Sequence, residues 1–62
     1  MEFEYQDGNY RVERGVSTGR WLLMENLPTN HLGWRFITAF DAGIRDEDIL
    51  DRAKVHLKEG LK

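Results

Sequence analysis

The sequence predicts an α+β domain, an antiparallel meander sheet of three to four strands with one C-terminal α-helix packed on one face. Two observations carry this. The apolar residues before Asp41 come in short runs separated by glycine-containing connections, as strands do. After Asp41 the period changes, and Ile49, Leu50, Ala53, Leu57 and Leu61 recur at the spacing of one helix face. With 62 residues and no cysteine, the chain reads as a single domain, 1–62, without disulfide or thiolate metal support. Its core is expected from Phe3, Tyr5, Tyr10, Trp21, Trp34, Phe36 and Phe40 together with the aliphatics. Self-association is one way to add buried area to so small a domain.

Each element follows from local chemistry. Glu2 to Gln6 alternates polar and apolar, as a half-buried strand should. Asp7-Gly8 is the dipeptide that best tolerates positive φ in a two-residue hairpin turn. That turn predicts Gln6 opposite Asn9, Tyr5 opposite Tyr10, Glu4 opposite Arg11 and Phe3 opposite Val12. Gly15 to Gly19 forms the next connection. Arg20 to Glu25 is the most apolar strand and is expected to be central. Asn26 to Gly33 is a loop, since Pro28 has no amide hydrogen to give a ladder. Trp34 to Phe40, rich in aromatic and β-branched types, is a further strand.

The helix is expected from about Asp46 to Glu59, with Asp46 as its N-cap. Asp46, Glu47 and Asp48 crowd its first turn, whereas Lys54, His56, Lys58 and Lys62 lie towards its end, a polarity that complements the helix dipole. Asp48 and Arg52 form a favourable pair four residues apart. Gly60 is expected just past the helix end, with Leu61 folding back as its apolar contact.

Charge and motif content argue against most chemistry. The formal net charge is −2, with charged residues at 32%, as in an ordinary soluble protein. No apolar run approaches the ~20 residues a membrane span needs. Met1-Glu2-Phe3-Glu4 lacks a basic segment followed by an apolar one, so no secretory signal is expected and the chain reads as cytoplasmic. His31 and His56 have no paired metal-ligand spacing; His56 reads as a half-buried helix histidine and His31 as a solvated loop residue. Ser17, the only serine, lacks a nucleophile-elbow setting. Gly15 to Gly19 is followed by neither Gly-Lys-Ser/Thr nor a helix, so it is no phosphate loop. Asp46 to Asp48 are explained by capping, because consecutive helical carboxylates diverge. No catalytic residue, metal site or cofactor is expected, and the chain reads as a non-enzyme.

The arginines and tryptophans are the candidate site. Arg11, Arg14, Arg20 and Arg35 belong to or flank the strands, close in sequence to Trp21 and Trp34. Such residues can build a flat basic and aromatic surface for nucleic acid. Their alternative use is ion pairing with Glu4, Glu13 and Glu25. Through residue 40 the four arginines meet five acidic side chains, so phosphate binding lacks a net positive surface. A tryptophan left on the uncovered sheet face beside an arginine is instead the composition of an energetic anchor in a protein interface.

The order Tyr10-Arg11-Val12, Gly19-Arg20-Trp21, Gly33-Trp34-Arg35-Phe36, Phe40-Asp41-Ala42 and Asp51-Arg52-Ala53 resembles the AP2-like domains and, in layout, the arm-binding domains of phage-type integrases. It covers about residues 10–60. The resemblance implies a three-stranded sheet backed by a helix, with Arg11, Arg14, Arg20, Trp21 and Arg35 contacting DNA. This chain departs from that pattern in the sheet residues Glu13 and Glu25, in its acidic balance and in the additional N-terminal strand. The functional expectation is a small binding module acting on a protein partner, or on a second copy as a homodimer, through its exposed sheet face. Accessory, adaptor or inhibitor proteins of phage or bacterial type are of this kind. DNA or RNA binding by the sheet is the alternative, and neither a membrane nor a small-molecule cofactor is expected as a partner.

Overall fold

A computed structural model describes residues 1–26 and 33–60. The elements are β1 (Glu2–Tyr5), β2 (Gly8–Arg14), β3 (Trp21–Asn26), β4 (Trp34–Phe40) and α1 (Asp46–Gly60). The strands form one antiparallel sheet in the order β1-β2-β3-β4, so the α+β meander with a single helix at its end is the observed fold. Of the loop expected over Asn26 to Gly33, Asn26 instead ends β3, and residues 27–32, with His31 among them, lie outside the described residues, as does the fold-back of Leu61.

The first hairpin turns one residue earlier than Asp7-Gly8 predicts. Tyr5 pairs with Gly8, Glu4 with Asn9, Phe3 with Tyr10 and Glu2 with Arg11, which leaves Gln6-Asp7 as the turn. Gln6 takes the left-handed backbone itself, at φ 53°. The glycine serves a different purpose: a Cβ on Gly8 would stand 2.8–3.0 Å from atoms of the Tyr10 ring. The ring lies over Gly8, and any side chain there would displace it. The two-residue slide keeps every side chain on its expected face, because the strand period is two. It also stacks Phe3 on Tyr10, with ring centroids 5.7 Å apart. Met1 then extends the ladder, its carbonyl accepting from the Val12 N–H at 2.9 Å. The expected Glu4–Arg11 pair is lost in this register.

One face of the sheet is sealed by the helix. Tyr10 and Val12 from β2, Trp21 and Leu23 from β3, and Ile49, Ala53 and Leu57 from α1 form a buried apolar core, with no buried polar or charged residue among those described. Ile49, Ala53 and Leu57 are spaced by four, which places them on one helix stripe. Val12, Leu23 and Ile49 are almost wholly removed from water, each worth ~1.5–3 kcal/mol. That is a large share of a net stability on the order of 3–9 kcal/mol for a chain of this length. Phe3, Tyr5, Ile37, Phe40, Ile44 and Leu50 pack around this centre. His56 is half-buried and meets the Phe40 ring edge-on at 5.7 Å.

Trp34 and Phe36 do not join that core. The pairing of β3 with β4 shifts between Leu23 and Met24, whose partners are Thr38 and Phe36, so Ile37 is an extra residue in β4. This β-bulge rephases the strand. Ile37 and Phe40 face the helix, whereas Trp34 and Phe36 turn to the other side. In an unbulged strand Trp34, Phe36 and Phe40 would share one face.

The helix begins with Arg45 in the capping position rather than Asp46: the Arg45 carbonyl accepts the N–H of Ile49 at 3.1 Å. Asp46 instead lies 3.6 Å from the Arg14 guanidinium. Asp48 is held by Arg45, at 3.1 Å from its Nε, and not by Arg52. Gly60 is the last helical residue.

Candidate functional site

The six singled-out residues divide between the two faces of the sheet. Arg14 and Trp21 are cross-strand neighbours on the helix side. The Trp21 indole is buried, with its guanidinium neighbour 4.4 Å above the ring. Its Nε1–H donates to the Ile44 carbonyl at 2.8 Å. Arg14 Nη1 donates to the carbonyls of Gly19 at 2.8 Å and Ala42 at 2.7 Å, and Nη2 to that of Ile44 at 3.3 Å. One side chain thus ties the β2–β3 connection and the β4–α1 connection to the start of the helix. Gly19 adopts φ 71°, which turns its carbonyl to this position without a Cβ penalty. Planar guanidinium donors satisfying backbone carbonyls over an aromatic ring are a structural use of arginine. These donors are committed to the fold.

Arg35 also lies on the helix side. Its Nε donates to Glu25 Oε1 at 2.7 Å, across the β3–β4 ladder. This is the cross-strand pairing weighed against ligand contact. Arg20 stands exposed just ahead of β3, with its backbone N–H held by Thr18 Oγ1 at 3.2 Å.

Arg11 and Trp34 lie together on the uncovered face. The Arg11 guanidinium sits 5.0 Å from the centre of the Trp34 ring and is ion-paired with Glu13 on its own strand. Its Nε is buried with no hydrogen-bond partner among the described residues. The register places Glu2, Arg11, Met24 and Phe36 in one row across all four strands. Glu4 and Asn9 form the start of the next row, which ends in Asn26 and Trp34, while Glu13 pairs with Leu22 and Leu22 with Ala39. Phe36 is 58% exposed, and Leu22, Met24 and Trp34 around it are half-buried. The face is therefore polarised, apolar over β3 and β4 and acidic towards β1.

Leu22, Met24 and Phe36 were not among the expected contact residues. Phe36 was expected in the core with Trp34 and the other aromatic side chains. The apolar residues of β4 fall on both parities, a readable signal that one set leaves the core unless the strand is covered twice.

A recess of about 180 Å³ is bordered by Tyr10, Glu25, Arg35, Ile37, His56 and Leu57, and its two oppositely charged groups bond each other. Among the described residues no three His, Asp or Glu side chains converge as a metal site, and no helix is long and apolar enough to cross a membrane. No family model, curated protein or solved structure matches the chain.

Proposed function

We propose that this chain is a small cytosolic, non-enzymatic binding module that takes a protein partner on the uncovered face of its sheet. The observation that carries the reading is Phe36, more than half exposed on the edge strand β4 opposite Met24 and on the same face as Leu22 and Trp34, a face that no described element covers. A contiguous apolar patch containing aromatic side chains and an arginine is the usual make-up of an interface centre. Nucleic-acid binding by the sheet has less support. Of the strand arginines, Arg14 and Arg35 are engaged on the helix side, and Arg11 is neutralised by Glu13. Phosphate contact depends on several uncommitted cations.

The test is affinity capture from cells of the source organism by the immobilised chain, run beside Phe36→Ser and a control, Val55→Ser. Val55 is 52% exposed on the helix and so presents an apolar side chain away from the sheet face. A captured protein that is lost with Phe36→Ser and kept with Val55→Ser is the expected result. Loss with both variants or with neither contradicts it. A salt-titrated gel shift on duplex DNA adds a second check. Retardation at low salt that disappears with Arg11→Ala or Arg20→Ala would replace the protein reading with the nucleic-acid one.

A further inference from the structure

We infer that the partner segment seated on this face is basic as well as apolar, a stretch with an aliphatic or aromatic anchor flanked by lysine or arginine. The inference rests on the protein-binding reading above and adds the chemistry of the occupant. It comes from how charge is distributed over the four strands. The apolar side chains Leu22, Met24, Trp34 and Phe36 all lie on β3 and β4, and the charged ones on β1 and β2. Among these, Arg11 and Glu13 cancel each other. Glu2 and Glu4 are exposed, on the same face, and engaged by no described side chain. An anchor lodged against Phe36 and Met24 leaves its flanking residues lying across the strands towards β1. Neighbouring strands are ~4.8 Å apart, so the row from Phe36 to Glu2 crosses three intervals of about 14 Å in all. That is the reach of four or five extended residues. A basic side chain at that distance from the anchor meets Glu2 or Glu4. An acidic one is repelled.

The same distribution disfavours a second copy as occupant. Packing this face on itself brings two further carboxylates and no uncommitted base from the strand residues of the face. It also disfavours a nucleic-acid strand, whose phosphates would meet Glu2 and Glu4 directly. Charge at an interface rim governs partner choice and association rate more than final affinity. The carboxylates should therefore select the partner, and the aromatic patch should hold it.

The experiment selects binders from a random twelve-residue peptide display library on the full chain at low ionic strength, then measures the enriched peptide in solution. The expected consensus is an apolar anchor flanked by lysine or arginine. Its binding is abolished by Phe36→Ser and weakened about threefold to tenfold by the double variant Glu2→Gln/Glu4→Gln, as two exposed ion pairs would give. The loss from the double variant shrinks as salt is raised. Circular dichroism of both variants confirms that they fold. A consensus that needs Phe36 but is acidic or uncharged overturns this inference and leaves the binding-module reading standing. Binding indifferent to Phe36→Ser, or no enrichment at all, overturns both. Sedimentation of the chain alone gives the remaining arm: a dimer dissociated by Phe36→Ser makes the second copy the occupant and refutes the basic segment.

Discussion

Two arginine–tryptophan pairs of the same composition sit on opposite sides of one thin sheet, and they do different things. Arg14 covers Trp21 at 4.4 Å and Arg11 covers Trp34 at 5.0 Å. Trp21 is 5% exposed and gives its N–H to a backbone carbonyl, and Arg14 spends its donors on three more carbonyl contacts. Trp34 is only half-buried, and its arginine is answered by a carboxylate on the same strand. The first pair closes the two connections over the end of the core. The second makes a surface. Residue type alone does not separate a fold-holding pair from a contact-making one; what separates them is whether the arginine's donors end on backbone carbonyls or on a side-chain carboxylate of the open face.

The tryptophans should show the largest contrast. Trp21→Ala removes a buried ring worth ~3–5 kcal/mol, comparable with the whole net stability of so small a domain. We expect that variant to be unfolded at 37 °C by circular dichroism. Trp34→Ala should stay folded and lose about 1 kcal/mol or less, because its ring is already partly wet. Equal losses would dissolve the distinction.

The arginines come next. Arg14→Ala should cost about 2 kcal/mol in urea unfolding, since several backbone carbonyls lose a charged donor, discounted for the partial exposure of the side chain. Arg14→Lys should recover less than half of this, because an ammonium cannot span carbonyls from two connections. Arg11→Ala should cost under about 1 kcal/mol, as half-exposed ion pairs do. A larger loss at Arg11 than at Arg14 would reverse the assignment of the two faces.

The smallest effect is expected at Phe36. Phe36→Ser should change stability by no more than about 0.5 kcal/mol, the range of surface substitutions, while removing partner binding. A loss of several kcal/mol there would mean that the outer face is part of the core.

The layered fold was legible in the chain because its two periods are clear. The run Trp34–Phe40 is bounded as expected, and Ile49, Ala53 and Leu57 fall on the buried helix stripe. The helix-covered face was not legible, because Trp21 to Met24 is apolar on both parities. What decided it is tertiary. Tyr10 needs the space over Gly8, and the bulge at Ile37 lets Phe40 face inward while Trp34 and Phe36 face outward. A bulge has no strong local signature in the sequence, so the outward turn of Trp34 and Phe36, both expected in the core, is set only in the folded register. The candidate site was legible as a set of residue types and not as a set of neighbours. Arg11 and Trp34 meet across the sheet through pairings that only the folded register determines. Arg14, Trp21 and Arg35 carry the same side-chain chemistry and point the other way.

One indole is buried on the helix side of the sheet and the other lies half-buried on the opposite face. Acrylamide quenching of tryptophan fluorescence in Trp34→Phe and Trp21→Phe, each folded and each retaining one indole, tests it most directly. Weak quenching is expected for Trp21, and a quenching constant severalfold larger for Trp34. Equal shielding of both indoles would show that the outer face is already covered within the chain and is not open to a partner.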